Sequence, residues 1–259
     1  MEPFYFESQG DRLFAVYHPA SDVFSRRAIL FCAPVFSEYF RTYRYFRKVA
    51  ESWSQQGFHA MRFDYFGTGD SSGTWADTGP ERWMSDISVA ARELRDVSGC
   101  DTLKVFGTRL GATLALHAAS SGELGQKTDL VLFDAIVSGR DYLHQLHESH
   151  ARLLAGSDVR TRKVLQALPG ELAGFRRNDD FENQLHGIDL NEVRLENIGH
   201  VQMIFSSSQY VDEQLIRRSD DAATTFESTV INDDCDWATP SESALQAPQI
   251  AEWLRKCLQ

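Results

Sequence analysis

Apolar residues run along this chain in short blocks whose period alternates between that of a strand and that of a helix. Residues 4–8 and 13–17 are two such blocks around Gln9, Gly10 and Asp11, the pattern of a β-hairpin. Residues 28–32 (Ala-Ile-Leu-Phe-Cys) form a continuous apolar run stopped by Pro34, as in a strand buried on both faces. Residues 39–56 carry a helical period through Phe46, Val49 and Trp53 and stop at Gly57. Residues 58–63 read as the next strand, followed by a turn-rich loop, residues 64–73. Pro80 and Glu81 open a helix in the manner favoured at a first turn, and it continues through Trp83, Ile87 and Leu94 to Gly99. Residues 103–106 and 130–133 are further buried strands. This alternation predicts a mostly parallel, doubly wound sheet with right-handed crossovers.

From residue 138 to 196 the pattern becomes helical, polar and interrupted, at Gly156, Pro169-Gly170 and Gly174. It reads as an insertion capping the sheet. Strands resume at 201–205, a short helix follows at 212–218, and a last strand spans 226–231. An amphipathic helix at 245–258 closes the chain. The expected organisation is therefore one core built from residues 1–137 and 197–259, with a helical cap at 138–196. No internal repeat or low-complexity linker divides it.

One junction concentrates the chemistry. The strand at 103–106 ends at Gly107, and an apolar helical run begins directly after it, so Gly107-Thr108-Arg109-Leu110-Gly111 is a strand, an abrupt turn and a helix. That is the frame of a nucleophile elbow, G-x-S-x-G, in which side chains two positions either side of the centre would collide with the adjoining helix and strand. The central residue is Arg109, which stays protonated and cannot attack a carbonyl.

With these elements the chain resembles the α/β-hydrolase superfamily over nearly its whole length. Residues 62–71 (Arg-Phe-Asp-Tyr-Phe-Gly-Thr-Gly-Asp-Ser) resemble the strand and loop of serine-aminopeptidase-like and acyl-esterase-like members. Together with the elbow Gly-x-Arg-Leu-Gly-Ala, they are similar to a bacterial subgroup of hydrolases associated with the exosortase system and other biosynthetic clusters. The resemblance implies a serine at the elbow, an acid after a later strand and a histidine after the last one. Here the first position is Arg109. The second falls in Ser206-Ser207-Ser208-Gln209-Tyr210, with Asp212 and Glu213 the nearest carboxylates. The third falls in residues 232–237, which contain no histidine, and Asp236 lies nearest to it. It also implies an oxyanion hole made by the amide of Leu110 and one from the loop Pro34-Val35-Phe36-Ser37-Glu38.

A guanidinium at the top of a buried sheet is costly unless paired. Asp134, ending the neighbouring strand, and Asp236 are the expected partners. Such a pair is either purely structural or a fork that grips a ligand carboxylate or phosphate. Other nucleophiles are poor: Cys235 sits among acids that raise a thiol pKa, Cys32 is inside a strand, and Ser37 has no evident base. His144, His147, Glu148 and His150 lack the spacing of a zinc helix and read as the polar face of a cap helix over Leu143, Leu146 and Leu153, so no metal is expected. No cofactor is expected either.

Composition narrows the classes. A net charge of −11 disfavours nucleic acid and anionic membranes as partners, no run reaches membrane-spanning length, and no signal peptide is evident. Four scattered cysteines fit reduced thiols and a cytoplasmic location. The leading expectation is a hydrolase-like enzyme of a biosynthetic or envelope-polymer pathway that acts on an acyl or carboxylated small molecule without a serine nucleophile. In it Arg109 orients the substrate, Leu110 with Val35, Phe36 and Ser37 surrounds it, and Asp134 or Asp236 moves protons. The alternatives are a pseudohydrolase serving as a binding or scaffold subunit, with a protein partner, and, last, an ordinary serine esterase.

Overall fold

The computed structural model of the chain describes residues 1–125, 128–157, 170–172, 174–176, 178–195, 198–220, 224–233, 235, 237, 250 and 252. The hairpin is β1 (Glu2–Ser8) and β2 (Asp11–His18), paired antiparallel with Gln9 and Gly10 at positive φ in the turn. Then come β3 (Arg27–Cys32), α1 (Phe36–Gln55), β4 (His59–Phe63), α2 (Pro80–Ser98), β5 (Thr102–Thr108), α3 (Leu110–Ser120) and β6 (Thr128–Phe133). After β6 the chain makes α4 (Gly139–Gly156), a two-residue antiparallel pair β7 (Glu171–Leu172) and β8 (Phe175–Arg176), and α5 (Asp179–His186). It returns to the sheet with β9 (Ile198–Phe205), α6 (Glu213–Asp220) and β10 (Thr225–Val230).

The eight-stranded sheet has the order β1-β2-β4-β3-β5-β6-β9-β10. Only the β1–β2 and β2–β4 pairs are antiparallel; every other neighbour pair is parallel. Helices cover both faces. On one, α2 and α3 bury Trp83, Ile87, Leu94, Leu114 and Leu116. On the other, α1 buries Phe46, Val49 and Trp53 against Phe31 and Phe106. These are the positions at which the helical period places apolar side chains. The start of α1 and the packing under α4 differ from the sequence reading. The helix expected from residue 39 begins at Phe36, so Ser37 and Glu38 lie in its first turn, where a carboxylate meets the positive end of the helix dipole. Beneath α4, Leu143 and Leu146 are buried, but Leu153 is exposed. The closing helix expected at 245–258 falls outside the described residues, apart from positions 250 and 252. Among the described residues no helix is long and apolar enough to cross a membrane, and no group of three His, Cys, Asp or Glu is placed to hold a metal ion.

Candidate functional site

The carboxyl ends of β3, β5, β6 and β9 converge on one residue. Arg109 stands between β5 and α3 at φ 53° and ψ −126°, a conformation costly for a residue with a Cβ. The glycines on either side make it attainable. A Cβ on Gly107 would lie 2.5 Å from the Cα of Ala112, and one on Gly111 would lie 2.3 Å from the carbonyl oxygen of Ala33. Both obstacles are backbone, so the turn closes only with glycine at 107 and 111.

The Arg109 side chain does not reach into open solvent; it is 4% exposed. Its Nε donates to Oε1 of Glu38 at 3.0 Å, and Nη1 donates to the backbone carbonyl of Asp134 at 3.3 Å. The rings of Trp237, Tyr210 and Tyr142 stand 5.3, 5.5 and 5.7 Å from the guanidinium carbon, a three-sided aromatic enclosure of the cation. Glu38 is equally buried, and its second oxygen accepts from the Tyr142 hydroxyl at 3.1 Å. Burial pushes the Glu38 carboxyl above its ordinary range, against the opposing pull of Arg109 and Tyr142. The result is a compensated, buried ion pair bridging α1 to the elbow.

The expected partner of Arg109 was the carboxylate of Asp134 or of Asp236; for Asp134 this is corrected, since among the described residues the pairing carboxylate belongs to Glu38. Asp134 contributes its main-chain oxygen because its carboxylate is taken elsewhere. Oδ1 accepts from the amide of Ser206 at 2.8 Å and Oδ2 from the indole of Trp237 at 2.7 Å. Asp134 is wholly buried at φ 45°, and burial raises its pKa. It ties the end of β6 to β9 and sets Trp237 over the guanidinium. Asp236 lies outside the described residues.

Beside this sealed pair lies a cavity of about 170 Å³. Val35, Phe36, Tyr65, Trp75 and Phe175 wall it, and Tyr39 and Phe40 stand at its rim. Phe36, at φ 56°, starts α1 and sets its ring centroid 4.7 Å from that of Trp75, tilted to it, and 5.1 Å from that of Phe175, edge-on. Of the residues expected around a substrate, Val35 and Phe36 line this cavity. Leu110 is buried under the elbow, and Ser37 and Arg109 are not on the wall. The amides of Leu110 and Phe36 donate to no partner among the described residues.

The two cysteine candidates are buried. Burial, then Asp134 and Asp233, push the Cys235 thiol up to about 12, and burial raises Cys32 further. His144 on α4 is exposed and lies 3.8 Å from Glu148. Glu38, Tyr142, Tyr210 and Trp237 escaped the sequence reading. Glu38 and Tyr210 were named there only as members of the loops set next to the elbow, with no role given to either.

No family model matches the chain, and no curated protein does either. Solved structures match over almost the full length. The ferulic-acid-bound Est1E of Butyrivibrio proteoclasticus is 14% identical with a TM-score of 0.68, covering 98% of this chain and 97% of that one. An esterase of Pyrococcus furiosus is 15% identical with a TM-score of 0.66, covering 99% and 87%. The α/β hydrolase GrgF of a Penicillium species is 13% identical with a TM-score of 0.66, covering 99% and 96%. At these identities the likeness is one of fold: the chain has the α/β-hydrolase fold.

Proposed function

We propose that this α/β-hydrolase-fold chain has lost the serine–histidine–acid triad and serves as a pseudohydrolase that holds a small molecule instead of cleaving it. The observation that carries this reading is the state of Arg109. The group at the elbow is a buried cation whose charge is spent on Glu38, whose second contact is a backbone carbonyl, and whose faces are covered by three rings. A clamp for an anionic substrate needs an accessible guanidinium, and an acid that moves protons needs free carboxylate oxygens. Arg109 and Asp134 offer neither, which favours binding over the serine-independent enzyme in a biosynthetic pathway.

The ligand follows from the adjacent cavity. Its apolar and aromatic walls suit an uncharged acyl or aryl group, and about 170 Å³ is near the size of an engineered apolar cavity that accepts benzene, so one ring with a short substituent fits. The unpartnered amide of Phe36, a residue of the cavity wall, is suited to a carbonyl or carboxyl oxygen. The test is a thermal-shift series with methyl benzoate, benzoate and phenyl acetate, run beside an ester-hydrolysis assay and fluorophosphonate labelling. The expected result is stabilisation by the single-ring esters, lost in Val35→Trp, with neither turnover nor labelling. Hydrolysis that survives purification to homogeneity, with a labelled residue, would overturn it.

A further inference from the structure

The outward side of α1 begins at the cavity rim and continues as a ridge of unusual chemistry for this molecule. Phe40 belongs to the rim yet is 70% exposed, and Tyr43 follows at 45%. Arg44, Arg47 and Lys48 are exposed beyond them. Spacings of three, four, seven and eight put these five side chains on one helical face, over about 12 Å of axis. Residues 39–50 hold four basic side chains and no acidic one, in a chain of net charge −11. Arg41 turns inward, its guanidinium carbon 5.9 Å from the Trp237 ring. Arg47 meets Glu51 at 2.9 Å. Arg44 and Lys48 have no carboxylate partner among the described residues.

A helix face that serves only for solvation mixes charge signs and keeps large aromatic rings covered. Exposed aromatics interleaved with arginine are instead the composition of an interface core with a charged rim. We propose that this ridge docks an acidic protein, through a carboxylate-rich segment seated on Arg44, Arg47 and Lys48 with Phe40 and Tyr43 as its apolar anchors. Because Phe40 is also the cavity rim, the seated partner closes over the mouth. The ridge is too short and the remaining surface too acidic for a polyanion that extends past it. A membrane or a nucleic acid would bring its charge against the whole chain, whereas a protein presents a local acidic patch. This inference stands on the ridge alone and does not depend on what fills the cavity.

The test places benzoylphenylalanine at position 43 of the full chain, and at exposed Val97 as a control. Photo-crosslinking is done in the native cells and the adducts are mapped by mass spectrometry. A protein crosslinked only from position 43 is then purified and titrated by calorimetry. The expected result is an adduct at a segment rich in Asp and Glu, with a Kd at least tenfold weaker for the double variant Arg44→Glu, Lys48→Glu. Phe40→Asp weakens it similarly, salt raised from 50 to 300 mM weakens it, and Arg92→Glu on α2 leaves it unchanged. Thermal unfolding of each variant, matched to the parent, establishes that the fold is intact. No position-specific adduct, an adduct to lipid or nucleic acid, or a Kd indifferent to the charge reversals would overturn the proposal.

Discussion

Replacing Glu38 by alanine removes the only carboxylate that touches Arg109 among the described residues. The guanidinium, 4% exposed, is then left with one backbone carbonyl at 3.3 Å and three aromatic faces. Deleting one partner of a buried pair costs about 3–5 kcal/mol, because the remaining charge stays desolvated. Losing the first-turn acid of α1 adds roughly 0.3–1 kcal/mol, and the Tyr142 hydroxyl loses its acceptor as well. For a chain of this size, a loss of about 1 kcal/mol lowers Tm by about 2–4 °C, so a fall of roughly 7–24 °C is expected. Urea unfolding followed by tryptophan fluorescence is the assay, since Trp237 stands against the cation. The double variant Glu38→Met, Arg109→Met replaces the pair with apolar chains of similar length. It should recover most of the loss, with a coupling energy of several kcal/mol between the two sites. If Glu38→Ala costs less than about 1 kcal/mol, or if the two single losses simply add in the double variant, the compensated-pair argument is wrong.

Gly111→Ala forces a Cβ to within 2.3 Å of the Ala33 carbonyl, so this variant should lose more than about 3 kcal/mol or fail to accumulate, as measured by soluble yield and Tm. His18 is buried, its Nε2 has no hydrogen-bond partner among the described residues, and burial together with Arg62 lowers its pKa to about 4. A depressed histidine pKa means the fold binds the neutral ring, so stability is full above about pH 6.5 and falls as pH drops towards 4. Urea midpoints across that window should show a loss on the order of 2 kcal/mol that His18→Leu removes; an unchanged slope in that variant would refute it. With its thiol pKa pushed up to about 12 by burial, Cys235 should resist iodoacetamide in the native protein at pH 8 and react once unfolded, as read by peptide mass spectrometry.

The strands of the eight-stranded sheet and the helices α1 to α3 were legible in the order of the residues because they rest on local periodicity, whereas the short pair β7–β8 inside the stretch read as helical was not. Phe46, Val49 and Trp53 sit one helical face apart, and that face is the one α1 buries. The run 28–32 is apolar throughout because β3 is covered on both sides. The elbow was legible for a steric reason: two glycines flanking one residue between a strand and a helix mark a turn that no Cβ can enter at either position. Even the need for a partner to Arg109 could be stated from the sequence, since a buried guanidinium demands one.

Which partner it takes was settled only in three dimensions. Asp134 is next to Arg109 in the sheet, but its carboxylate is claimed by the Ser206 amide and the Trp237 indole. Glu38 is 71 positions away along the chain and reaches the elbow because α1 starts at Phe36, which aims its first turn at the end of β5. Tyr142, Tyr210 and Trp237 arrive from three further segments. Local pattern selects helices, strands and forbidden side chains, because those depend on neighbours in the chain. The choice among competing carboxylates depends on which oxygens are already bonded when distant segments meet, and that information exists only in the folded molecule.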